Sequence, residues 1–402
     1  MSPILVLFIV DGVSKIFLAL ASLLLIKYFS VTDFAQFSIV FTVSMMAYQI
    51  ISGVVERLYI SDYDNYKREG GGSSLALMCI VGLVISIYIY FYLDLYYAIF
   101  IFALVVVCTK YQMQRIKKQK EERFFTYAIV DMVRNLVWLV LLYLNFEVFV
   151  GFIKIGNAEY ALGTFALLAI VSNLLLHLFS KKTILKVNSE SARSPRFLSS
   201  AKYFISRKDV VAYSILGGVI PYYPFIIATL MRDESLIATY GAAMRYQAIF
   251  SMAILAVNTV VIARFCNNKE IINQHSASFY KILPVVMFFL AVAILAIYWA
   301  IPYVDGGKYP NLQSAFVVLS ICSAISLVST VAVNKLLAFN NYSAMLKSVF
   351  SGFVVMVVIT PLFTYVNNEV GPLLSMLTGY SLITLLLIIK ASKEKTSESV
   401  AG

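Results

Sequence analysis

The chain has 402 residues, 61% of them apolar and 13% charged, roughly half the charge of a soluble domain. That composition excludes a large soluble enzyme and reads as an integral membrane protein. The formal net charge of +11 is dispersed over several short loops, which argues against nucleic-acid binding and fits topology signals and an anionic inner leaflet.

A helix needs about 20 apolar residues to cross a bilayer. In chain order, the first such stretch is 4–28. Asp11 and Lys15 interrupt its apolar run and no small-residue cleavage site follows cleanly, so it is expected to stay as a span rather than leave as a signal peptide. Spans follow at 35–60, 75–94, 96–114, 124–145 and 160–180, with little more than Asp94 between the third and fourth. The 147–160 segment has room for a short interfacial helix. After a polar stretch at 181–209 come spans at 210–231, 236–263, 279–301, 312–336, 343–365 and 370–390. Segments of alternating polar and apolar residues, the signature of a membrane β-barrel, are missing.

The expected fold class is therefore an all-α integral membrane protein of about twelve transmembrane helices. The polar stretch divides it into an N-terminal six-helix bundle (1–180), a cytoplasmic linker (181–209), a C-terminal six-helix bundle (210–390) and a cytoplasmic tail (391–402). With both termini inside, 23 of the 32 basic residues fall on inner loops or the tail, which selects that orientation. "VTDFAQFSIVFTV" at 31–43 and "ESLIATYGAAMRY" at 234–246 echo each other weakly, each a short polar turn that opens a span. Six-span halves in one orientation are parallel repeats, and such repeats enclose a central cavity suited to alternating access.

Ionisable side chains inside spans carry the functional information, because a charge at mid-helix costs about 2.5–3.5 kcal/mol on insertion scales and calls for a polar lumen or a partner. Asp11 and Lys15 share one face of the first span, and Asp131 and Arg134 share one face of the fifth. Each pair suits either a structural salt bridge or a lining position. Arg245, inside the eighth span, has no acidic neighbour in sequence. Glu56, Arg57 and Lys110 lie nearer the inner boundary, where long basic side chains snorkel. In the seventh span, Gly217, Gly218, Pro221 and Pro224 predict a bend, which serves either gating or static packing.

Enzyme signals are missing. "EGGGSS" at 69–74 lacks the lysine of a phosphate-binding loop, and His177 and His275 stand in no metal or nucleophile arrangement. Cys79, Cys108, Cys266 and Cys322 show no paired spacing. The short outer loops argue against a membrane glycan polymerase.

The pieces "FSVTDFAQFSIVFTV", the basic "RIKKQKEER" before the fifth span, and "TYGAAMRYQAIFSMAILAVNTVVIARF" in the eighth, with the layout of spans, resemble the O-antigen flippases of the polysaccharide transporter family. Tyr240 then Gly241 reverses the order common in that family. The superfamily also holds multidrug extruders and lipid II flippases. The resemblance implies a bacterial inner-membrane protein that moves undecaprenyl-diphosphate-linked oligosaccharide units from the cytoplasmic to the periplasmic leaflet. It implies no cofactor, coupling to H+ or Na+ being compatible with it, and as partners the lipid-linked oligosaccharide, membrane lipids, and a glycan polymerase and chain-length regulator, with no nucleic acid. On this reading Lys15, Arg134 and Arg245 hold the anionic headgroup, while Asp11, Asp131 and Glu56 tune those charges or couple to the ion. A multidrug or cation antiporter of the same superfamily is the first alternative; it would favour acidic sites. A membrane glycan polymerase and a nonenzymatic scaffold of glycan assembly follow.

Overall fold

The computed structural model describes residues 3–61, 66, 73–120, 124–148, 157–181, 203–248, 250 and 271–394. The helices are α1 (Pro3–Tyr28), α2 (Val31–Ser61), α3 (Ser73–Tyr92), α4 (Leu95–Lys120), α5 (Phe124–Tyr143) and α6 (Asn157–Lys181), followed by α7 (Lys208–Val219) and α8 (Tyr223–Met231). Then come α9 (residues 234–248), α10 (Ile271–Asp305), α11 (Leu312–Ala338), α12 (Tyr342–Val366) and α13 (Gly371–Lys393). Among the described residues, 9 helical stretches are long and apolar enough to cross a membrane. The protein is a multi-pass, all-α membrane protein. Every predicted span meets a helix, the eighth only as far as residue 248; its remainder lies outside the described residues.

Three boundaries differ from expectation for local reasons. α2 begins at Val31 because the Ser30 hydroxyl caps it, accepting from the Asp33 N–H at 3.1 Å. α4 does not stop at 114 but runs to Lys120, since long basic side chains carry a helix past the apolar zone. α5 is prolonged by a π-helical turn, Leu144–Val148, while most of the 147–160 segment where an interfacial helix is expected, residues 149–156, lies outside the described set. The two echoing motifs share a device: as Ser30 caps α2, the Asp233 carboxylate caps α9 by accepting from the Leu236 N–H at 3.0 Å.

The chain separates into two compact units, Met1–Tyr222 with Arg232–Gly241, and Tyr223–Met231 with Ala242–Gly402. In the first, α2 is the hub, packing on α3, α4, α6 and α7, while α1 packs on α5. Its core is aromatic: Phe37 stacks on Phe41 (5.3 Å), Phe41 on Trp138 (6.3 Å), and Phe165 meets Phe41 edge-on at 5.0 Å. The Trp138 indole N–H, which burial would otherwise orphan, donates to the Ala161 carbonyl at 3.3 Å. In the second unit, α13 packs on α11 and α12. α12 and α13 cross where two glycines meet: a Cβ on Gly352 would lie 2.8 Å from the Gly379 carbonyl oxygen, so only small residues let the backbones approach this closely. α10 contrasts with this core: within Phe279–Asp305 only Ile301 and Asp305 are buried, so most of that helix's apolar side chains face outward, as suits a lipid-facing helix.

The glycine–proline run interrupts the α-helical ladder. The helix breaks at a 3-10 turn, Ile220–Tyr222, holding Pro221, and α8 restarts with Pro224 at its second residue, where a missing N–H is harmless. Of the two glycines, only Gly218 is in close contact, a Cβ there falling 2.5 Å from Cγ1 of Ile50 on α2; Gly217 faces open space.

Candidate functional site

Among the described residues of the first unit, a dense group of buried charge is assembled from α1, α4, α5 and α6. Tyr111 and Arg115 are one turn apart on α4. Tyr127, Asp131, Arg134 and Trp138 recur at helical spacing along one face of α5. That spacing brings Asp131, 5% exposed, under two guanidinium groups. Arg134 Nη2 lies 3.0 Å from Asp131 Oδ1, and Arg115 Nη1 lies 3.7 Å from Oδ2. The Tyr111 phenol donates to Asp131 Oδ1 at 2.6 Å. Rings flank both cations: Arg134 sits 4.9 Å over Tyr111 and 5.9 Å from Phe165, and Arg115 sits 4.7 Å over Tyr127. Arg134 Nε donates to Asn135 Oδ1 at 3.2 Å, and the Asn135 amide donates to the Ser14 carbonyl (3.1 Å) and hydroxyl (3.0 Å), tying the group to α1.

One carboxylate therefore faces two guanidinium groups and neutralises only one of their charges. Glu56 and Arg57 of α2 lie beside each other, with Glu56 also in the field of Arg115. Counting that pair leaves the local excess at one positive charge. The cluster's accessible side is also cationic, with side-chain exposure of 22% for Arg115 and 14% for Arg134 against 7% for Asp131.

The predicted site residues distribute as follows. Asp131 and Arg134 are in direct contact. Lys15 is half-buried on α1, the helix that packs on α5, and its neighbour Ser14 bonds the neighbour of Arg134. The Asp11 side chain lies outside the described residues. Arg57 is held by α7: it lies 4.6 Å over the Tyr213 ring and donates to the Ser214 hydroxyl. Arg245, half-buried on α9, belongs to the second unit. There its successors Tyr246 and Gln247 engage α11, the tyrosine edge-on to Phe316 at 6.1 Å and the amide donating to the Ser323 hydroxyl.

Sequence reasoning missed Arg115 and Tyr111. Arg115 counted as a loop base because the fourth span was ended at 114; the extension of α4 returns it to the cluster. Its spacing of four from Tyr111, a ring that faces Asp131, was the available signal. Among the described residues, no three of His, Cys, Asp and Glu come together in a way that could hold a metal ion.

The same arrangement of helices recurs in solved membrane transporters. In fold, the chain is similar to a MATE-family multidrug resistance transporter of the MOP superfamily in an inward-facing conformation: TM-score 0.66 and 12% identity, over 94% of each chain. It is similar also to the lipid II flippase MurJ in an inward closed conformation (TM-score 0.65, 14% identity, 96% of this chain and 87% of that one). A third likeness is to the eukaryotic MATE transporter AtDTX14 (0.64, 11%, 97% and 94%). No protein-family model and no curated protein matches the sequence.

Proposed function

We propose that the chain is an alternating-access transporter, not an enzyme, and that its cargo is anionic: a lipid-linked diphosphate oligosaccharide of the O-antigen type, flipped to the outer leaflet of a bacterial inner membrane. The observation that carries the cargo is the surplus guanidinium group around Asp131. A transporter of cations needs a carboxylate with charge to spare, and the Asp131 carboxylate is already faced by Arg115, Arg134 and the Tyr111 hydroxyl. A diphosphate supplies the opposite need, charge and oxygen acceptors for guanidinium forks, while its polyprenyl tail stays in lipid. Lys15, Arg134 and Arg245 are the proposed headgroup contacts. Asp11, Asp131 and Glu56 tune them or couple to H+ or Na+. Two six-helix parallel repeats around a central cavity, joined by the 181–209 linker, are the proposed frame, with Gly217, Gly218, Pro221 and Pro224 as its gate. A glycan polymerase and a chain-length regulator are the proposed partners.

The second reading is multidrug or ion antiport. Fold similarity favours it: the solved chains of similar fold include several MATE transporters beside the flippase. Glycan export in a strain lacking the native protein separates the two. Arg245→Lys should retain more export than Arg245→Ala, and Arg245→Glu should retain least, each normalised to membrane abundance. Accumulation of lipid-linked units in the inner leaflet marks the defect as one of translocation. Export by Arg245→Glu equal to that of the parent removes the residue from the path.

A further inference from the structure

The donor inventory of the Asp131 cluster is larger than its acceptors. Two guanidinium groups carry ten N–H donors between them. Arg134 spends Nη2 on Asp131 and Nε on Asn135. Arg115 makes no hydrogen bond among the described residues: its nitrogens approach Asp131 no closer than 3.7 Å, an ion-pair distance, and its planar face is spent on Tyr127. The two guanidinium side chains are the more accessible members of the group, 22% exposed for Arg115 and 14% for Arg134 against 7% for Asp131.

We infer that Arg115 and Arg134 together form a phosphate-oxyanion site, a two-fork clamp whose members sequence reasoning had set apart, Arg115 in a loop and Arg134 in a span. Asp131 is its positioning residue: with Tyr111 below and the rings of Tyr127 and Phe165 beside, it holds both forks in place without consuming their outer donors. The site suits a tetrahedral oxyanion, because each fork can meet two oxygens and the local charge excess is positive even with Glu56 and Arg57 counted. Arg115 enters as a contact beside Arg134. The inference rests on the anionic-cargo reading and sharpens it, placing the phosphate grip within the first unit on α4 and α5.

The test uses the purified full-length chain in lipid nanodiscs, titrated by calorimetry with farnesyl diphosphate and with inorganic pyrophosphate. The parent is expected to bind farnesyl diphosphate, with affinity falling as NaCl rises. Arg115→Ala and Arg134→Ala should each weaken binding by about tenfold or more, one bidentate charged contact being lost. Arg115→Lys, which keeps the charge and the fold, should fall between parent and alanine. Equal losses for the two probes assign the site to phosphate from either source; losses for farnesyl diphosphate alone assign it to a lipid headgroup. Unchanged affinity in folded Arg115→Ala, parent-like affinity in Arg115→Lys, or no binding of either probe by the parent overturns the site. Flipping by reconstituted parent protein is scored separately: binding that depends on Arg115 in a chain that does not flip lipid-linked cargo keeps the site and removes the flippase reading.

Discussion

Tyr111 and Asp131 join α4 to α5 through one short bond, the phenol donating to Oδ1 at 2.6 Å, while the same tyrosine ring carries the Arg134 guanidinium on its face. One side chain thus satisfies the anion and the cation of a buried pair by two different interactions, and substitutions can separate them. Tyr111→Phe removes only the donor, and a hydrogen bond to a charged group is worth about 1.5–3 kcal/mol. Tyr111→Leu also removes the cation–π contact, about another 0.5–2 kcal/mol. Thermal unfolding in detergent should rank parent, Tyr111→Phe and Tyr111→Leu in descending order; equal midpoints for the last two would show that the ring contributes nothing.

Asp131→Asn leaves two guanidinium groups facing each other with no anion between them. Breaking a buried pair by removing one partner costs about 3–5 kcal/mol, mostly because the remaining charge stays buried. The double variant Asp131→Asn with Arg134→Gln restores the balance, so it should be more stable than the single one. A double variant less stable than Asp131→Asn would mean that the charges are not energetically coupled. Its chemical-denaturation midpoint is the readout.

Gly217 and Gly218 are adjacent yet should respond oppositely. A Cβ on Gly218 meets the Ile50 side chain at 2.5 Å with backbone at 3.4 Å behind it, so Gly218→Ala should cost about 1–3 kcal/mol as an overpacked contact. Ile50→Ala added to it should recover part of the loss. Gly217→Ala meets nothing within 4 Å, and helix propensity alone makes it neutral or stabilising. Melting curves of the three variants decide it, and a Gly217→Ala loss as large as that of Gly218→Ala would contradict the packing assigned to α2 and α7.

The orientation chosen from the basic residues puts the 181–209 linker inside and 302–311 outside. Single cysteines at Ser194 and Lys308, in a background without the native thiols, should differ in intact cells: a membrane-impermeant maleimide labels Lys308→Cys alone. Labelling of Ser194→Cys from outside reverses the topology.

The spans were legible because about 20 apolar residues in a row admit few other structures in lipid. The pairing of Asp131 with Arg134 was legible because it is local, three residues apart on one helix, and the break at Ile220–Tyr222 because proline announces itself. What escaped was contact between helices. Arg115 reaches Asp131, and Arg57 reaches Ser214, only after helices distant in sequence are packed side by side, and no periodicity encodes which helix lies next to which. The small-residue crossing of Gly352 and Gly379 escaped similarly: either glycine alone reads as a common feature of membrane helices.

The most direct measurement is translocation by the purified chain in proteoliposomes offered two cargoes in parallel, a fluorescent polyprenyl-diphosphate oligosaccharide in the inner leaflet and a fluorescent organic cation in the lumen. An anionic-cargo flippase moves the first, loses that movement in Arg134→Ala and Arg245→Glu, and leaves the cation where it is with or without a proton or sodium gradient. Gradient-driven efflux of the cation, with the lipid-linked oligosaccharide confined to its original leaflet, would contradict the flippase reading and establish the antiporter.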